Sequence, residues 1–282
     1  MEPARRFVFN GHASALGGQL YKVRNKPAAL VIEVDGASAL GPTGGRSVAT
    51  IPGREYADVV RFGGGRTRAE GLFDDPKKAF AVGSKGVQDE LTSSTRVSAE
   101  LRDLQVGRDP VVTIGLLRAS LSGRSPDGSG EPSVVPGKDT TIEGVKVGDF
   151  GLTVTLNLRP FQKYDTRSKL VAAIDDTRQV KLLDRQLLMR GAAGARKARL
   201  RLENRNLIYG TIVREIHWTR KPYPGAEIEG HGVTIPNFGR IVFGEIIITA
   251  ESRRLTMARF QLGSPDDGYG DGADVGCNGS WA

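Results

Sequence analysis

The stretch from Asn206 to Leu262 constrains the fold most, because apolar and polar side chains alternate along most of its length. In its first segment, Asn206 to Trp218, three isoleucines and the tryptophan fall on one side and mostly polar residues on the other. Period-two alternation predicts a β-strand with two unlike faces. An extended segment of this length would span roughly 40 Å. We therefore expect a large sheet, or a bulged strand that turns a corner at Gly210.

Three further segments continue this β-rich region. Glu227 to Ile235 resumes extended chain after a loop that contains two prolines. Arg240 to Ala250 and Arg254 to Leu262 predict a hairpin, joined across the residues between them. Strand-like runs also recur between Phe7 and Leu158, so the sequence predicts a mainly β fold.

Composition agrees with this fold class. The chain has 282 residues, of which 39% are apolar, and its 37 glycines and 14 prolines suit many turns between strands. We predict a large antiparallel β-sandwich or β-barrel with about one lateral helix. That helix is expected near residues 166–190, begun by Asp165 or Thr166. The pair Asp175-Asp176 interrupts its apolar face, so two shorter elements are the alternative.

The chain divides by charge into a basic body and an acidic end. Residues 264–282 contain four aspartates and no Lys, Arg or Glu, so the formal net charge of +8 leaves +12 on residues 1–263. We interpret 264–282 as a Gly/Asp-rich acidic tail, disordered or loosely docked on the body. Residues 1–263 would form a single β-rich domain, with the turn-rich loop at 122–139 as the alternative boundary between two halves.

Lys197, Arg199 and Arg201 form a candidate anion-binding cluster. They alternate with apolar residues, which on a strand places three cations on one face. Such a face would meet phosphate groups or an acidic protein, and the alternative is a solvated sheet face. Aromatic residues are only 6% of the chain and none interleaves with the cluster, which argues against nucleic acid as the partner.

Glu227, Glu229 and His231 form the candidate catalytic site. Their spacing of two residues would point all three to one side of a regular strand. Two carboxylates and an imidazole at one place would act as general acid and base, or would bind a divalent metal. The alternative is a wet face near the end of a strand, and the other two histidines, His12 and His217, are interpreted as structural.

The aspartates of the acidic end resemble a calcium loop only superficially. Asp267, Asp271 and Asp274 would supply oxygens on a chain that glycine can bend, yet Tyr269 occupies one ligand position and Asn278 another. We therefore predict no cofactor, with a divalent metal ion here or at the Glu/Glu/His site as the alternative.

Several functions and locations are disfavoured by what the sequence lacks. It contains neither a phosphate-binding loop, a dinucleotide fingerprint nor a nucleophile elbow. The first residues lack the apolar core of a secretory signal, and no segment reaches the ~20 apolar residues of a membrane span. Cys277 is the single cysteine, which excludes a disulfide framework and makes a reducing cytoplasm the expected location.

Two classes of function follow. The first and preferred one is a non-catalytic binding or assembly protein with a cationic face, forming a homo-oligomer through exposed strand edges or binding an acidic protein or anionic ligand. The second is a β-barrel or sandwich enzyme that acts on a small molecule through Glu227, Glu229 and His231. Convergence of these three side chains in a deep pocket would favour the enzyme, and their separation on an open surface would favour the binding protein.

Overall fold

The computed structural model describes residues 7–21, 30–74, 92–125, 131–176, 183, 187, 207–263 and 268–281. Within these residues the chain forms two antiparallel β-sheets and two helices, which confirms the predicted mainly β fold class. In chain order the elements are β1 (Phe7–Leu20), β2 (Leu30–Ala39), β3 (Gly45–Tyr56), β4 (Val60–Phe73), β5 (Ser93–Val106), β6 (Val112–Ser125), β7 (Ser133–Pro136), β8 (Thr141–Glu143), β9 (Val145–Val147), β10 (Phe150–Leu156), α1 (Arg159–Lys163), α2 (Arg167–Asp175), β11 (Ile208–Thr211), β12 (Val213–Trp218), β13 (Glu227–Glu229), β14 (Gly232–Ile235), β15 (Gly239–Ile248), β16 (Ser252–Leu262) and β17 (Gly268–Trp281).

The first sheet has eight strands in the order β13-β14-β15-β16-β17-β1-β2, with β11 beside β15. The second has nine, in the order β12-β10-β9-β6-β5-β4-β3, with β7 and β8 also beside β6. Neither order closes on itself. The hairpin predicted from Arg240 to Leu262 is confirmed as β15 and β16. The range 122–139, predicted as a loop, contains the end of β6 and all of β7, and these two strands pair with each other within the second sheet.

The inner faces of the two sheets pack against each other. A side chain at Gly272 of β17 would lie 3.0 Å from the Leu117 side chain of β6. Ser38 of β2 and Thr67 of β4 share a buried hydrogen bond of 2.8 Å between their hydroxyl oxygens. The largest fully buried side chains come from both sheets and include Leu16, Phe243 and Phe260 from the first, and Phe62, Leu101 and Leu104 from the second. This shared apolar layer gives the molecule a sandwich-like arrangement.

The long strand predicted from Asn206 to Trp218 is divided between the two sheets. β11 pairs with β15 in the first sheet, and β12 pairs with β10 in the second. Thr211 fixes the corner, since its hydroxyl donates to the Gly244 carbonyl at 3.0 Å and accepts from the Val213 amide at 3.0 Å. The expected corner exists, but it lies at Ile212 and not at Gly210.

Strand β17 overturns the interpretation of the acidic end as a loosely docked tail. Residues 268–281 pair with β16 on one side and with β1 on the other, along most of their length. Ala273, Val275 and Cys277 are buried. The sequence interpretation was wrong because glycines at alternating positions are typical of loops. In β17 they instead allow side chains of neighbouring strands to pack closely against the backbone. A side chain at Gly270 would clash with the Phe260 ring.

A line of interrupted pairs crosses the first sheet. Regular pairing stops on either side of Gly36, Ala15, Ala273, Met257 and Gly244, which lie opposite one another on five neighbouring strands. Gly36, Ala273 and Gly244 have positive φ angles of 63°, 49° and 59°. Such irregularities re-aim the side chains that follow them. As a consequence Asp271 and Asp274, which a regular strand would separate, share the outer face.

The two helices lie between β10 and β11 in the chain. Helix α2 confirms the predicted helix in part: Thr166 begins it by accepting a hydrogen bond from the Lys169 amide, and Asp176 ends it. Residues 177–182, 184–186 and 188–190 of the predicted range lie outside the described residues. The sequence did not predict α1. In the described part of the chain, neither helix has the length and apolar character needed to cross a bilayer.

A buried arginine attaches α1 to the first sheet. Arg253 of β16 is 2% exposed and donates to the carbonyl oxygens of Phe161 at 2.9 Å and Tyr164 at 2.6 Å. These carbonyls lie in and just after the last turn of α1, where a helix leaves its acceptors unpaired. Burial lowers the pKa of Arg253 to about 10, while Asp165 and Glu131 act to raise it.

Candidate anion-binding face

A group of seven arginines projects from the outer face of the second sheet. They come from four adjacent strands, and we call this surface the arginine face: Arg46 of β3, Arg66 and Arg68 of β4, Arg96 and Arg102 of β5, and Arg118 and Arg124 of β6. The alternation of β5 explains their direction. Val97, Ala99 and Leu101 are buried between the sheets, so Arg96 and the residues in step with it point outward.

Cross-strand register places these arginines close together. Arg46 lies opposite Glu70, which lies opposite Arg96, which lies opposite Ser122. Arg68 is two positions from Glu70 on β4, and Arg124 is two positions from Ser122 on β6. Consecutive arginines in the zigzag Arg46, Arg68, Arg96 and Arg124 are thus separated by roughly 8 Å between Cα atoms, given strand spacings of ~4.8 Å and ~3.4 Å per residue. Flexible arginine side chains at this spacing form one continuous cationic surface.

Carboxylates neutralise part of the face. Glu100 accepts from Arg118 Nη2 at 2.6 Å and from Arg102 Nε at 2.6 Å, and Glu70 accepts from Arg68 Nη2 at 2.5 Å. Partial burial acts to raise the pKa of Glu100, but the hydrogen bonds from Arg118 and Arg102 hold it below its ordinary value. Glu100 is therefore ionised at neutral pH.

The arginine face keeps a positive charge after these pairs are counted. Seven arginines stand against four carboxylates, those of Glu70, Glu100, Glu143 and Asp74, which leaves +3. Three arginines, Arg46, Arg66 and Arg96, form no hydrogen bond or ion pair with any other described residue, and all three are exposed. Their guanidinium groups are free to bind an anion.

Exposed apolar side chains on this face are aliphatic. Val48 of β3 is 43% exposed and Leu72 of β4 is 53% exposed. Val48 is two positions from Arg46 on β3, and Leu72 is two positions from Glu70, the residue opposite Arg46 on β4. The exposed aromatic side chains of the described residues, Tyr21 and Tyr269, belong to the first sheet and contact each other there. The arginine face thus offers cations and small apolar patches without a stacking platform.

The predicted catalytic residues do not lie on one strand. The chain turns at Gly230 and His231, so that Glu229 of β13 pairs with Gly232 of β14. Glu227 and Glu229 are exposed on an edge strand, whereas the His231 side chain is only 12% exposed. The expectation of one continuous strand was wrong because a glycine with a φ of 61° forms a tight turn at position 230.

His231 instead lies at one end of a charged network on the outer face of the first sheet. Its Nε2 is 3.9 Å from Glu245, which also binds Arg259 at 2.7 Å. The network continues from Arg259 to Asp271 at 2.8 Å, and from Arg254 to Asp274 at 2.8 Å. His12 lies 3.9 Å from Asp274 at the far end. The carboxylates and arginines alternate, so they largely neutralise one another.

The arginines of this network bind two of the aspartates that were predicted as calcium ligands. Asp274 is buried and accepts from Arg254 and from the Thr256 hydroxyl at 2.7 Å, while Asp271 accepts from Arg259. Arginine thus occupies carboxylate oxygens that a hard cation would need. Asp267 lies outside the described residues. Among the residues described, no group of three His, Cys, Asp or Glu side chains is arranged to hold a metal ion.

A shallow cleft of about 440 Å³ lies at the edge of the first sheet. Glu227 lines it together with Thr234, Asn237 and three glycines, and His231 and Glu229 do not. The cleft therefore contains one carboxylate of the predicted site and lacks its imidazole. The cationic cluster predicted at Lys197, Arg199 and Arg201 lies outside the described residues. His217 is exposed on β12, opposite Thr153.

The arginine face was missed because its residues are dispersed in sequence over almost eighty positions. The signal was nevertheless present in part. Arg96 lies in a segment predicted as a strand, in step with Ser98 and Glu100 and out of step with the apolar residues between them. Only the register between β3, β4, β5 and β6 shows that these positions form one surface.

A comparison with models of known protein families matches residues 7–249 to a domain of unknown function, DUF8256. The matched range includes every arginine of the arginine face. None of the curated proteins and none of the solved structures matches the chain.

Proposed function

Because the chain belongs to the DUF8256 family, whose description gives no activity, we infer its function from its own geometry. We propose a non-catalytic binding protein that holds an acidic protein segment on the arginine face. The observation that carries the proposal is the exposure of Arg46, Arg66 and Arg96 without a partner among the described residues, on a surface of net positive charge. Unpaired guanidinium groups bind carboxylates through two parallel hydrogen bonds.

The apolar residues of the face favour a protein segment over a nucleic acid. Proteins that bind single-stranded nucleic acid combine a cationic groove with aromatic side chains on which bases stack. Val48 and Leu72 cannot stack with bases, but they suit the aliphatic side chains of a peptide. An acidic segment with interspersed apolar residues matches both features of the surface.

The surroundings of the Glu/Glu/His residues support a binding function over the enzymatic alternative. General acid–base catalysis needs both groups within hydrogen-bond reach of one substrate. Glu229 is 83% exposed on an edge strand, while His231 is turned towards Glu245. The cleft beside Glu227 is open, and no other titratable side chain among the described residues lines it.

A titration with fluorescein-labelled polyglutamate tests the proposal. Fluorescence anisotropy at low salt should report binding that weakens as salt is added, because exposed ion pairs are screened. The variant with Arg46→Gln, Arg66→Gln and Arg96→Gln should bind about tenfold to a hundredfold more weakly, at ~0.5 to 1 kcal/mol for each lost contact.

A matched variant separates the face from total charge. Arg159→Gln, Arg214→Gln and Arg220→Gln remove the same three charges from exposed positions outside the arginine face. This control should retain the affinity of the unmodified protein to within about twofold. Equal loss in both triple variants would contradict a specific face. Tighter binding of single-stranded DNA than of polyglutamate would replace the acidic protein by nucleic acid as the partner.

Two further features belong to the same proposal. We propose the reducing cytoplasm as the location, supported by a single cysteine whose thiol is buried. We also propose that the chain associates with further copies of itself through exposed strand edges outside the arginine face. Size-exclusion chromatography with light scattering measures the number of chains, and a strict monomer at tens of micromolar would remove this second feature.

A further inference from the structure

Strand β3, which carries Arg46 of the arginine face, lies at a free edge of the second sheet as far as the described residues show. It runs from Gly45 to Tyr56 and pairs with β4 along one side. Among the residues that the structure describes, no backbone group pairs with its other side. A long edge of unpaired amides and carbonyls is a template for an added strand.

The two halves of β3 differ in their ability to accept another strand. The second half contains Pro52 and Gly53, which interrupt a regular ladder, and Arg54 of this half is bound to Asp35 at 2.8 Å. The first half, Gly45 to Ile51, is free of proline and pairs regularly with residues 65–71 of β4. Only this first half offers a continuous free edge.

The side chains of this half define what an added strand would meet. Arg46, Val48 and Thr50 point to the outer face, at alternate positions. Arg68, on the neighbouring strand, lies opposite Val48. Side chains of an added strand would thus lie beside an unpaired arginine and beside an exposed aliphatic residue, about 4.8 Å away along the sheet.

We infer that an extended acidic segment of a partner protein adds to the edge of β3 at Gly45 to Ile51. Its backbone would extend the second sheet by one strand, and its carboxylates would meet Arg46 on the outer face. This inference rests on the proposed function, because it specifies how the acidic partner is held. Backbone pairing supplies affinity without sequence preference, and the arginines select acidic segments.

The same charges disfavour a second copy of this chain as the occupant. Pairing of β3 with its two-fold equivalent would join two arginine faces into one surface of doubled positive charge. Like charges at this range repel and are relieved only by salt. An acidic segment instead neutralises the surface that it extends.

The experiment compares two peptides that differ only in their backbone. The first is an eleven-residue peptide of alternating glutamate and valine, and the second has the same sequence with every backbone amide N-methylated. Both carry the same charge, but only the first can donate ladder hydrogen bonds. The unmethylated peptide should bind at least about tenfold more tightly, since several backbone hydrogen bonds of ~0.5 to 1.5 kcal/mol are at stake.

Hydrogen exchange locates the added strand without altering the protein. Saturating unmethylated peptide should slow exchange of amides within residues 45–51, and should leave those of β13 unchanged. Arg46→Glu should weaken the binding of this peptide by about tenfold or more. Arg214→Glu, on the opposite edge of the same sheet, should leave its binding unchanged.

Each outcome has a defined meaning. Equal affinity of the two peptides, with both weakened by Arg46→Glu, would overturn strand addition and leave the arginine face as a binding surface. Failure of both peptides and of polyglutamate to bind would overturn the proposed function itself. A dimer whose β3 amides are protected without peptide would show that a second copy occupies the edge, and would overturn the inference.

Discussion

Arg118 of β6 binds Glu100 of β5 through two nitrogen atoms, Nε at 2.8 Å and Nη2 at 2.6 Å from the same carboxylate oxygen. The two residues lie directly opposite each other on neighbouring strands. Arg102 occupies the other oxygen of Glu100 at 2.6 Å. One carboxylate thus orders two arginines of the arginine face and also reduces the positive charge of that face.

Glu100→Gln should therefore change stability and binding in opposite directions. Loss of the charged hydrogen bonds should lower the free energy of unfolding by about 1 to 2 kcal/mol, measured by urea denaturation. The face gains one positive charge, so polyglutamate should bind a few-fold more tightly at low salt. Glu229→Gln makes the same charge change on the other sheet and should alter neither quantity. Weaker polyglutamate binding by Glu100→Gln would contradict the assignment.

Acid should destabilise the fold in a defined range of pH. Burial acts to raise the pKa values of Glu100 and Asp165, but hydrogen bonds from Arg118 and Arg102 to the first, and from Lys169 and Ser133 to the second, hold both below their ordinary values. A lowered folded-state pKa gives stability that is present above the unfolded-state value of ~4 and is lost as pH falls through the folded-state value. Thermal unfolding measured between pH 7 and pH 3 should show that the melting temperature decreases once the pH is below about 4. The decrease should be smaller in the Glu100→Gln variant. An identical acid dependence in that variant would exclude Glu100 as a contributor.

Cys277 should be unreactive in the folded protein. Burial raises the pKa of its thiol to about 12, although the backbone at Gly123 acts to lower it. The thiolate is the reactive form, so a disulfide reagent at pH 8 should modify the folded chain at least about a thousandfold more slowly than the chain in denaturant. One thiol per chain should react after unfolding. Rapid modification under native conditions would contradict the placement of β17 between β16 and β1.

Removal of Arg253 should be among the most damaging single changes. Arg253→Ala leaves the carbonyls of Phe161 and Tyr164 without their donor and opens a space in the interior. We expect a loss of about 3 to 5 kcal/mol in the free energy of unfolding. Arg214→Ala, at an exposed position, should cost less than about 0.5 kcal/mol. A small effect of Arg253→Ala in urea denaturation would mean that α1 is held by other contacts.

Sequence patterns predicted the fold class because alternation is a local property. The hairpin of β15 and β16 follows from two apolar-alternating segments with a short polar connection. Residues 268–281 were misinterpreted because glycines and aspartates have low strand propensity, and their place between two strands depends on contacts with distant residues. The turn at Gly230 and His231 was missed for a related reason, since a continuous strand and a tight hairpin share the same alternation.

The arginine face was beyond prediction for a physical reason of its own. Alternation within β5 directs Arg96 outward, but nothing in the sequence specifies that Arg46 and Arg96 lie two strands apart around Glu70. Register between strands is decided by the packing of whole sheets. A surface built from four strands becomes visible only when that register is known.

Arginine footprinting tests the central claim most directly. Phenylglyoxal modifies exposed guanidinium groups, and mass spectrometry of the digested protein measures the rate at each residue. Saturating polyglutamate should slow modification of Arg46, Arg66 and Arg96 several-fold, while Arg214 and Arg220 react at unchanged rates. Protection confined to Arg214 and Arg220, or an equal effect at all five residues, would contradict the account.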